Sequence, residues 1–151
     1  MALLAIVTAG GTREPIDDVR FVTNLSKGRF GAAIARALAD RGVEVVLLAS
    51  AELASHPEWI DPRVPVVPFG STSELDAAID AEIARGTPDL LFMAAAVSDY
   101  APVRVEGKIR SDADELVIRM RRLPKILATL RDRCGRSTFL VGFKLLSGVS
   151  A

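Results

Sequence analysis

Apolar runs alternate with amphipathic segments along the chain, and most runs end at glycine, proline or polar residues. Short continuous apolar runs are typical of strands that are buried on both faces of a parallel sheet. The predicted strands are residues 3–8, 43–49, 64–69, 90–96 and 138–143. Because helical patterns separate them, we predict an α/β fold, a Rossmann-like three-layer sandwich with a mainly parallel central sheet and the first strand in its middle.

The segments between the strands carry apolar residues at helical spacing and recognisable helix ends. Ser71, with Glu74 three residues later, is a capping box that predicts a helix start, and Gly86 suits the end of that helix. Phe30, Ile34 and Leu38 recur at helical spacing within helix 28–41, and Leu75, Ile79 and Ile83 lie on one face of the second helix. In a third helix, opened by Pro124, the residues predicted to face inward are Leu123, Ile126, Leu127 and Leu130. Residues 51–63 and 98–114 are predicted to be irregular, and residues 115–120 to form an exposed or edge strand.

The composition excludes several classes of function. Lys and Arg number 19, as do Asp and Glu, and this balance argues against a general nucleic-acid binder, which would carry a basic excess. No apolar run approaches the ~20 residues that span a bilayer, and the first residues lack a signal-peptide pattern, so we expect a cytoplasmic protein without a membrane partner. Cys134 is the one cysteine, which excludes a disulfide framework. The single histidine, His56, has no partner pattern of a triad or zinc site.

The candidate chemistry follows the predicted strands, because ligands of open α/β sheets bind beyond the carboxyl ends of the strands. A long loop follows the first strand, opening with Gly10-Gly11-Thr12 and closing with Ser26-Lys27-Gly28. This set predicts either a phosphate cradle or a tight turn with a close-packed helix start, and its spacing matches neither a Walker A loop nor G-x-G-x-x-G. Asn24 in this loop and Asp99 after the fourth strand are either turn residues or ligand contacts.

Several segments resemble one enzyme family and occur in that family's order. They are residues 10–17, 19–24, 26–28, 94–100, 108–109 and 141–145. Together they reach across nearly the whole chain, and they resemble phosphopantothenoylcysteine synthetase, also called phosphopantothenate–cysteine ligase, an enzyme of coenzyme A biosynthesis. The resemblance implies a ligase that joins 4'-phosphopantothenate to cysteine through an acyl nucleotidylate. It also implies CTP or ATP as co-substrate, Mg²⁺ as cofactor and a homodimeric assembly.

The resemblance further implies roles for individual residues. Asn24 and Lys108 are the implied catalytic residues, since Asn24 would handle the activated acyl group and Lys108 would contact the triphosphate. Asp99 would face the nucleotide or its Mg²⁺, which prefers oxygen ligands. The implied nucleotide-binding residues are Gly10, Gly11, Thr12, Ser26, Lys27, Gly28, Ala95, Ala96, Ser98, Asp99, Lys108 and Phe143.

Two segments depart from the bacterial pattern of this family and leave the choice between CTP and ATP open. Arg110 and Ser111 stand where further lysines are usual, and Lys144 stands where many bacterial members have alanine. The family continues beyond the length of this chain. Residues 1–151 are therefore expected to form a single nucleotide-binding α/β domain that lacks the family's C-terminal portion.

The sequence leaves two other functions open. One is a NAD(P)-binding Rossmann-type oxidoreductase, although Ala49-Ser50 stands where an acidic residue usually binds the ribose. Tyr100 also has Arg104, and not lysine, four residues later. The other is a non-catalytic nucleotide-binding fragment.

Overall fold

The computed structural model describes residues 2–145 and residue 148. In chain order its elements are β1 (Leu4–Ala9), β2 (Arg13–Pro15), β3 (Phe21–Thr23), α1 (Arg29–Ala39), β4 (Glu44–Ser50), α2 (Ala51–Ala54), a 3-10 turn (Pro57–Trp59), β5 (Val66–Phe69), α3 (Thr72–Arg85), β6 (Leu90–Met93), β7 (Tyr100–Pro102), β8 (Met120–Arg122), α4 (Ile126–Cys134) and β9 (Phe139–Gly142). Strands β5, β4, β1, β6 and β9 pair in that order into one parallel sheet. The predicted α/β fold with a central first strand is confirmed.

The two faces of the sheet support two separate core clusters, as a three-layer sandwich requires, because successive strand residues point to opposite faces. On one face the sheet packs against α1, and on the other it packs against α3 and α4. The first cluster includes Ala5, Val7, Ala9, Ala32, Ala35 and Leu47. The second cluster includes Ile6, Leu48, Leu75, Ile79, Leu91, Ile126 and Leu130.

Helix α1 lies closest to the sheet through its smallest residues, while Ile34 and Leu38 of the predicted apolar stripe are partly buried against the same cluster. Its buried residues are Gly31, Ala32 and Ala35. A Cβ atom on Gly31 would lie 2.5 Å from the Cβ of Ala9, so the helix approaches β1 more closely than any side chain at this position allows. Phe30, the first residue of the apolar stripe, is 60% exposed.

Helix α3 begins at the predicted capping box. The Ser71 hydroxyl accepts a hydrogen bond from the N–H of Glu74, and the Glu74 carboxylate accepts one from the N–H of Ser71 at 3.0 Å. Two otherwise unpaired N–H groups are satisfied in this way. Among the described helices, α3 included, none is long and apolar enough to cross a bilayer.

Helix α4 packs beside α3 and buries Ile126, Leu130 and Cys134. Leu127, which was also predicted to face inward, is 50% exposed. Burial raises the pKa of the Cys134 thiol, so this side chain is held in its neutral form. The buried face of α4 therefore contains fewer of its apolar residues than the sequence pattern predicted.

Short elements occupy segments that were predicted to be irregular. Strands β2 and β3 form an antiparallel hairpin inside the long loop after β1, and α2 with the 3-10 turn fills part of residues 51–63. Strands β7 and β8 form a second antiparallel pair, so the strand predicted at residues 115–120 begins only at Met120. Strand β9 lies at the sheet edge with Phe139 65% exposed, and its predicted burial is wrong.

Candidate functional site

A cavity of about 670 Å³ opens at the carboxyl ends of β6 and β9. Five segments line it: the loop after β3, the start of α1, the stretch that follows β6, the start of α4 and the stretch that follows β9. The lining residues are Asn24, Ser26, Phe30, residues 93–99, residues 124–127 and residues 143–145. The carboxyl ends of the parallel strands all lie at this edge of the sheet, and the helices that connect the strands begin near it. Segments far apart in sequence therefore converge on the cavity.

The backbone after β1 and the backbone after β6 stay paired beyond the sheet. Gly11 and Ala96 form a parallel bridge, the N–H of Ala96 donates to the carbonyl oxygen of Gly10 at 2.8 Å, and the N–H of Thr12 donates to that of Ala96 at 3.2 Å. The Thr8 hydroxyl accepts a further bond from the N–H of Ala95 at 3.1 Å. These bonds fix the small-residue stretch that forms the floor of the cavity.

Asn24 is held at the rim of the cavity by its own side chain. Its Nδ2 atom donates to the carbonyl oxygen of Ala96 at 3.1 Å. Gly11 permits this approach, because a Cβ atom there would lie 3.0 Å from the backbone oxygen of Asn24. Among the described residues, the second N–H of the carboxamide and its oxygen have no partner, so both are available to a ligand.

Two helices begin at the cavity, and neither has a side-chain cap. The cap residue of α1 is Gly28 and that of α4 is Lys125, and no side chain in the described part of the chain accepts a hydrogen bond from the first turn of either helix. Helices α2 and α3 begin away from the cavity, and they are capped by the hydroxyls of Ser50 and Ser71. The free N–H groups of α1 and α4 and the positive ends of their dipoles favour an anionic ligand.

The charged side chains that line the cavity are Asp99, Lys125 and Lys144. The Lys125 Nζ atom lies 3.8 Å from a carboxylate oxygen of Asp99, and both side chains are mostly exposed. No group of three metal-binding side chains occurs among the described residues. Asp99 alone could supply one ligand to Mg²⁺, which commonly takes one or two carboxylates and completes its shell with water and substrate phosphates.

The model of a known protein family matches almost the whole chain. Residues 3–149 match the model of the DNA/pantothenate metabolism flavoprotein C-terminal domain. The chain belongs to this family. The resemblance found in the separate sequence segments is thereby confirmed over almost the whole length of the chain.

Curated relatives of this C-terminal domain are much longer proteins. The chain is 45% identical over 115 residues to the coenzyme A biosynthesis bifunctional protein CoaBC of Mycolicibacterium smegmatis, covering 74% of the chain and 26% of that protein. It is 36% identical to the CoaBC protein of Thermococcus kodakarensis, covering 96% of the chain and 34% of that protein. The chain therefore spans about a quarter to a third of these relatives.

Solved structures of the same domain family share the fold. A DNA/pantothenate metabolism flavoprotein from Streptococcus pneumoniae superposes with a TM-score of 0.82 at 26% identity, covering 99% of this chain and 72% of that chain. The C-terminal domain of a CoaBC protein superposes with a TM-score of 0.71 at 32% identity, covering 91% of this chain and 62% of that chain.

In this flavoprotein C-terminal domain, the residues predicted to be catalytic or to bind nucleotide fall into three groups. The first lines the cavity and consists of Asn24, Ser26, Ala95, Ala96, Ser98, Asp99 and Phe143. The second is buried beneath it and consists of Gly10, Gly11, Thr12 and Gly28. The third lies apart: Lys27 is exposed without lining the cavity, and Lys108 lines a separate depression formed by residues 108–112. The ligand contacts of all these residues remain predictions.

The buried glycines pack against protein atoms. A Cβ atom on Gly28 would lie 2.9 Å from the backbone nitrogen of Gly10, and one on Gly10 would lie 1.9 Å from the Ser50 hydroxyl oxygen. Gly10 and Gly28 also have positive φ angles of 90° and 79°, which favour glycine. Of the two interpretations that the sequence left open, the tight turn with a close-packed helix start describes this geometry.

The segment that carries Lys108 is tied to the turn between β2 and β3. The buried Asp17 carboxylate accepts hydrogen bonds from the N–H of Ile109 at 3.0 Å, from the N–H groups of Val19 and Arg20, and from the Arg20 guanidinium at 2.7 Å. Burial alone would raise the pKa of Asp17, but these bonds outweigh it and hold the pKa below its ordinary value.

Asp17→Asn should destabilise the protein at neutral pH by an amount that shrinks on acidification. A carboxyl whose folded pKa is lowered stabilises the fold above its unfolded pKa of about 4, and this contribution is lost as the pH falls through the folded value. Urea midpoints of wild type and variant between pH 7 and pH 3 measure the difference. Asp114→Asn, at an exposed position, is the control. A wild-type advantage that stays constant or grows towards low pH would contradict the prediction.

Proposed function

We propose that this domain joins 4'-phosphopantothenate to cysteine. In the proposed reaction a carboxylate oxygen of phosphopantothenate attacks the α-phosphorus of CTP or ATP, and pyrophosphate leaves. The amine of cysteine then attacks the acyl carbon, the nucleoside monophosphate leaves with the bonding electrons, and the amine loses a proton. No protein nucleophile is needed, so the protein contributes position and charge stabilisation.

The observation that carries the proposal is the meeting of two uncapped helix starts with Asn24 at one cavity. Two of the substrates carry phosphates, and the free N–H groups of α1 and α4 offer bonds to anions. The unused N–H of Asn24 would donate to the acyl oxygen as negative charge develops there. The relatives support this assignment because they are named as coenzyme A biosynthesis proteins.

We propose that Mg²⁺ binds together with the triphosphate. Asp99 is its candidate protein ligand among the described residues. The ion would neutralise phosphate charge when bound. Lys125, at 3.8 Å from Asp99, would lie close enough to share the same phosphate oxygens. We further propose a cytoplasmic homodimer, and the choice between CTP and ATP belongs to the experiment below.

The oxidoreductase alternative fits the geometry less well. Dinucleotide-binding proteins use an acidic residue after the second strand for the ribose and open glycines for the pyrophosphate. Here β4 ends in Ala49-Ser50, and the Ser50 hydroxyl is committed to capping α2. Gly10 and Gly28 are packed against each other, so these two glycines do not offer open backbone to a pyrophosphate.

Calorimetric titration with CTP, ATP and NADPH, each with Mg²⁺, tests the proposal. We expect a triphosphate to bind and NADPH to fail. Phe143→Ala should weaken that binding, because Phe143 lines the cavity and packs edge-to-face on Phe30 at 5.0 Å between ring centroids. Phe139→Ala is the matched control, since Phe139 is exposed on the same strand segment and does not line the cavity.

Assays of pyrophosphate release and product formation complete the test. Tight NADPH binding without a response to either triphosphate would refute the ligase. Triphosphate binding without pyrophosphate release in the presence of phosphopantothenate would indicate a nucleotide-binding module that does not catalyse the first step.

A further inference from the structure

A chain of buried polar groups runs under the floor of the cavity and ends at Ser98, which lines it. Thr12 is 0% exposed, and Glu14 and Thr72 are 4% and 5% exposed. The Glu14 carboxylate accepts from the N–H of Thr72 at 2.9 Å and also bonds the Thr72 hydroxyl. The Thr72 hydroxyl lies 3.2 Å from the Thr12 hydroxyl, which lies 2.9 Å from that of Ser98.

The bonds in this chain have a direction that follows from counting protons. A backbone N–H can only donate, so Oε1 of Glu14 is an acceptor, and the Thr72 hydroxyl gives its one proton to that oxygen. The N–H of Ser98 donates to the Thr12 hydroxyl oxygen at 3.1 Å. The Thr12 proton goes to the Ser98 hydroxyl oxygen, which is the closer of its two hydroxyl neighbours. The 3.2 Å contact between the Thr72 and Thr12 hydroxyl oxygens then holds no proton, so the hydrogen bonds that reach Ser98 begin at Thr12.

Ser98 therefore receives a hydrogen bond on its hydroxyl oxygen from below. Its own hydroxyl proton cannot point back along that bond, and Ser98 lines the cavity, so this proton is available to a ligand there. The Ser98 backbone is fixed by the same Thr12 hydroxyl, through its N–H. The buried Thr12 hydroxyl thus orients the Ser98 hydroxyl without itself being exposed to the ligand.

We propose that Thr12 is a positioning residue that presents the Ser98 hydroxyl as a hydrogen-bond donor to a phosphate group in the cavity. The assignment rests on the proposed function, because that function supplies the phosphates. The phosphate belongs to the nucleoside triphosphate or to phosphopantothenate, which share this chemistry. Thr12 then acts through Ser98, which differs from the direct nucleotide contact that the sequence implied for Thr12.

A set of conservative variants separates positioning from packing. Thr12→Val keeps the shape of the side chain and removes the hydroxyl, whereas Thr12→Ser keeps the hydroxyl and loses a methyl group. Ser98→Ala removes the presented donor at a partly exposed position, where folding is least at risk. Thr12→Val with Ser98→Ala reports whether the two residues act as one unit.

Calorimetric titration of each variant with CTP, ATP and 4'-phosphopantothenate is the measurement. A hydrogen bond to a charged group implies a loss of about tenfold or more in affinity for one of these ligands. Ser98→Ala and Thr12→Val should each show this loss for the same ligand, and the double variant should bind no more weakly than Ser98→Ala. Thr12→Ser should bind as wild type does. The ligand that is affected identifies the phosphate.

A second readout is hydrogen exchange at the Ser98 amide. Thr12→Ser should keep its protection, and Thr12→Val should lose it while the melting temperature shows an intact fold. Binding that is insensitive to Ser98→Ala, additive losses in the double variant, or a Thr12→Ser variant as weak as Thr12→Val would each overturn the positioning role alone. A wild-type chain that binds none of the three ligands would overturn the proposed function, and the phosphate assignment with it.

Discussion

Asn24→Asp should reduce formation of the ligated product by ~10²–10³-fold, roughly 3–4 kcal/mol, and leave triphosphate affinity nearly unchanged. Under the proposed function the Asn24 carboxamide donates to the acyl oxygen, and a carboxylate there would repel the developing negative charge. The substitution also removes the N–H that bonds the carbonyl oxygen of Ala96 at 3.1 Å. Pyrophosphate release and ligated product are followed separately, together with calorimetry of the triphosphate.

Two further variants make this prediction specific. Asn24→Ala removes the donor without adding charge, and it should be less damaging than Asn24→Asp. Leu25→Ala is the neighbouring control, because Leu25 is 98% exposed and does not line the cavity. Normal product formation by Asn24→Asp would make Asn24 a residue that only shapes the loop.

Leu130→Ala should destabilise the fold by about 2–5 kcal/mol, because the removed atoms leave a cavity in the core. Leu130 is 0% exposed and packs in the cluster formed by the sheet with α3 and α4. Leu127 lies one turn earlier on the same helix, is half exposed and lines the ligand cavity. Leu127→Ala should therefore cost little stability and weaken ligand binding.

Chemical denaturation and calorimetry should show opposite effects on stability and ligand affinity in the two leucine variants. Leu130→Ala should lower the denaturation midpoint and retain ligand affinity in the fraction that stays folded, and Leu127→Ala should do the reverse. Equal loss of stability in the two variants would mean that α4 is buried on both sides, contrary to the fold described above.

The strands of the central sheet were predictable because they are short continuous apolar runs. The capping box at Ser71 likewise predicted the start of α3. The hairpin of β2 and β3 was not predictable, because strands of three residues are too short to show a period. It is held by tertiary bonds, including the one from the N–H of Arg13 to the carbonyl oxygen of Gly70 at 2.8 Å. Tertiary hydrogen bonds of this kind cannot be recognised from the local pattern of apolar and polar residues.

The site was partly predictable for a related reason. The rule that ligands bind at strand ends identified Asn24, Ser98 and Asp99, which the structure brings to one cavity. Lys125 was missed because it precedes a helix, although a helix that leads into the parallel strand β9 must begin at this same edge. Gly10 was ambiguous, because a close ligand and a close backbone both demand the absence of a side chain.

The burial of Cys134 bears on how the domain behaves in solutions rich in thiols and disulfides. Exchange with an external disulfide requires a thiolate that can reach it. This thiol is 3% exposed, its pKa is raised by burial, and no other cysteine exists in the chain. A domain proposed to use cysteine as a substrate thus presents no sulfur of its own to form a mixed disulfide with cystine. Its activity should need no added reductant beyond what keeps the substrate itself reduced.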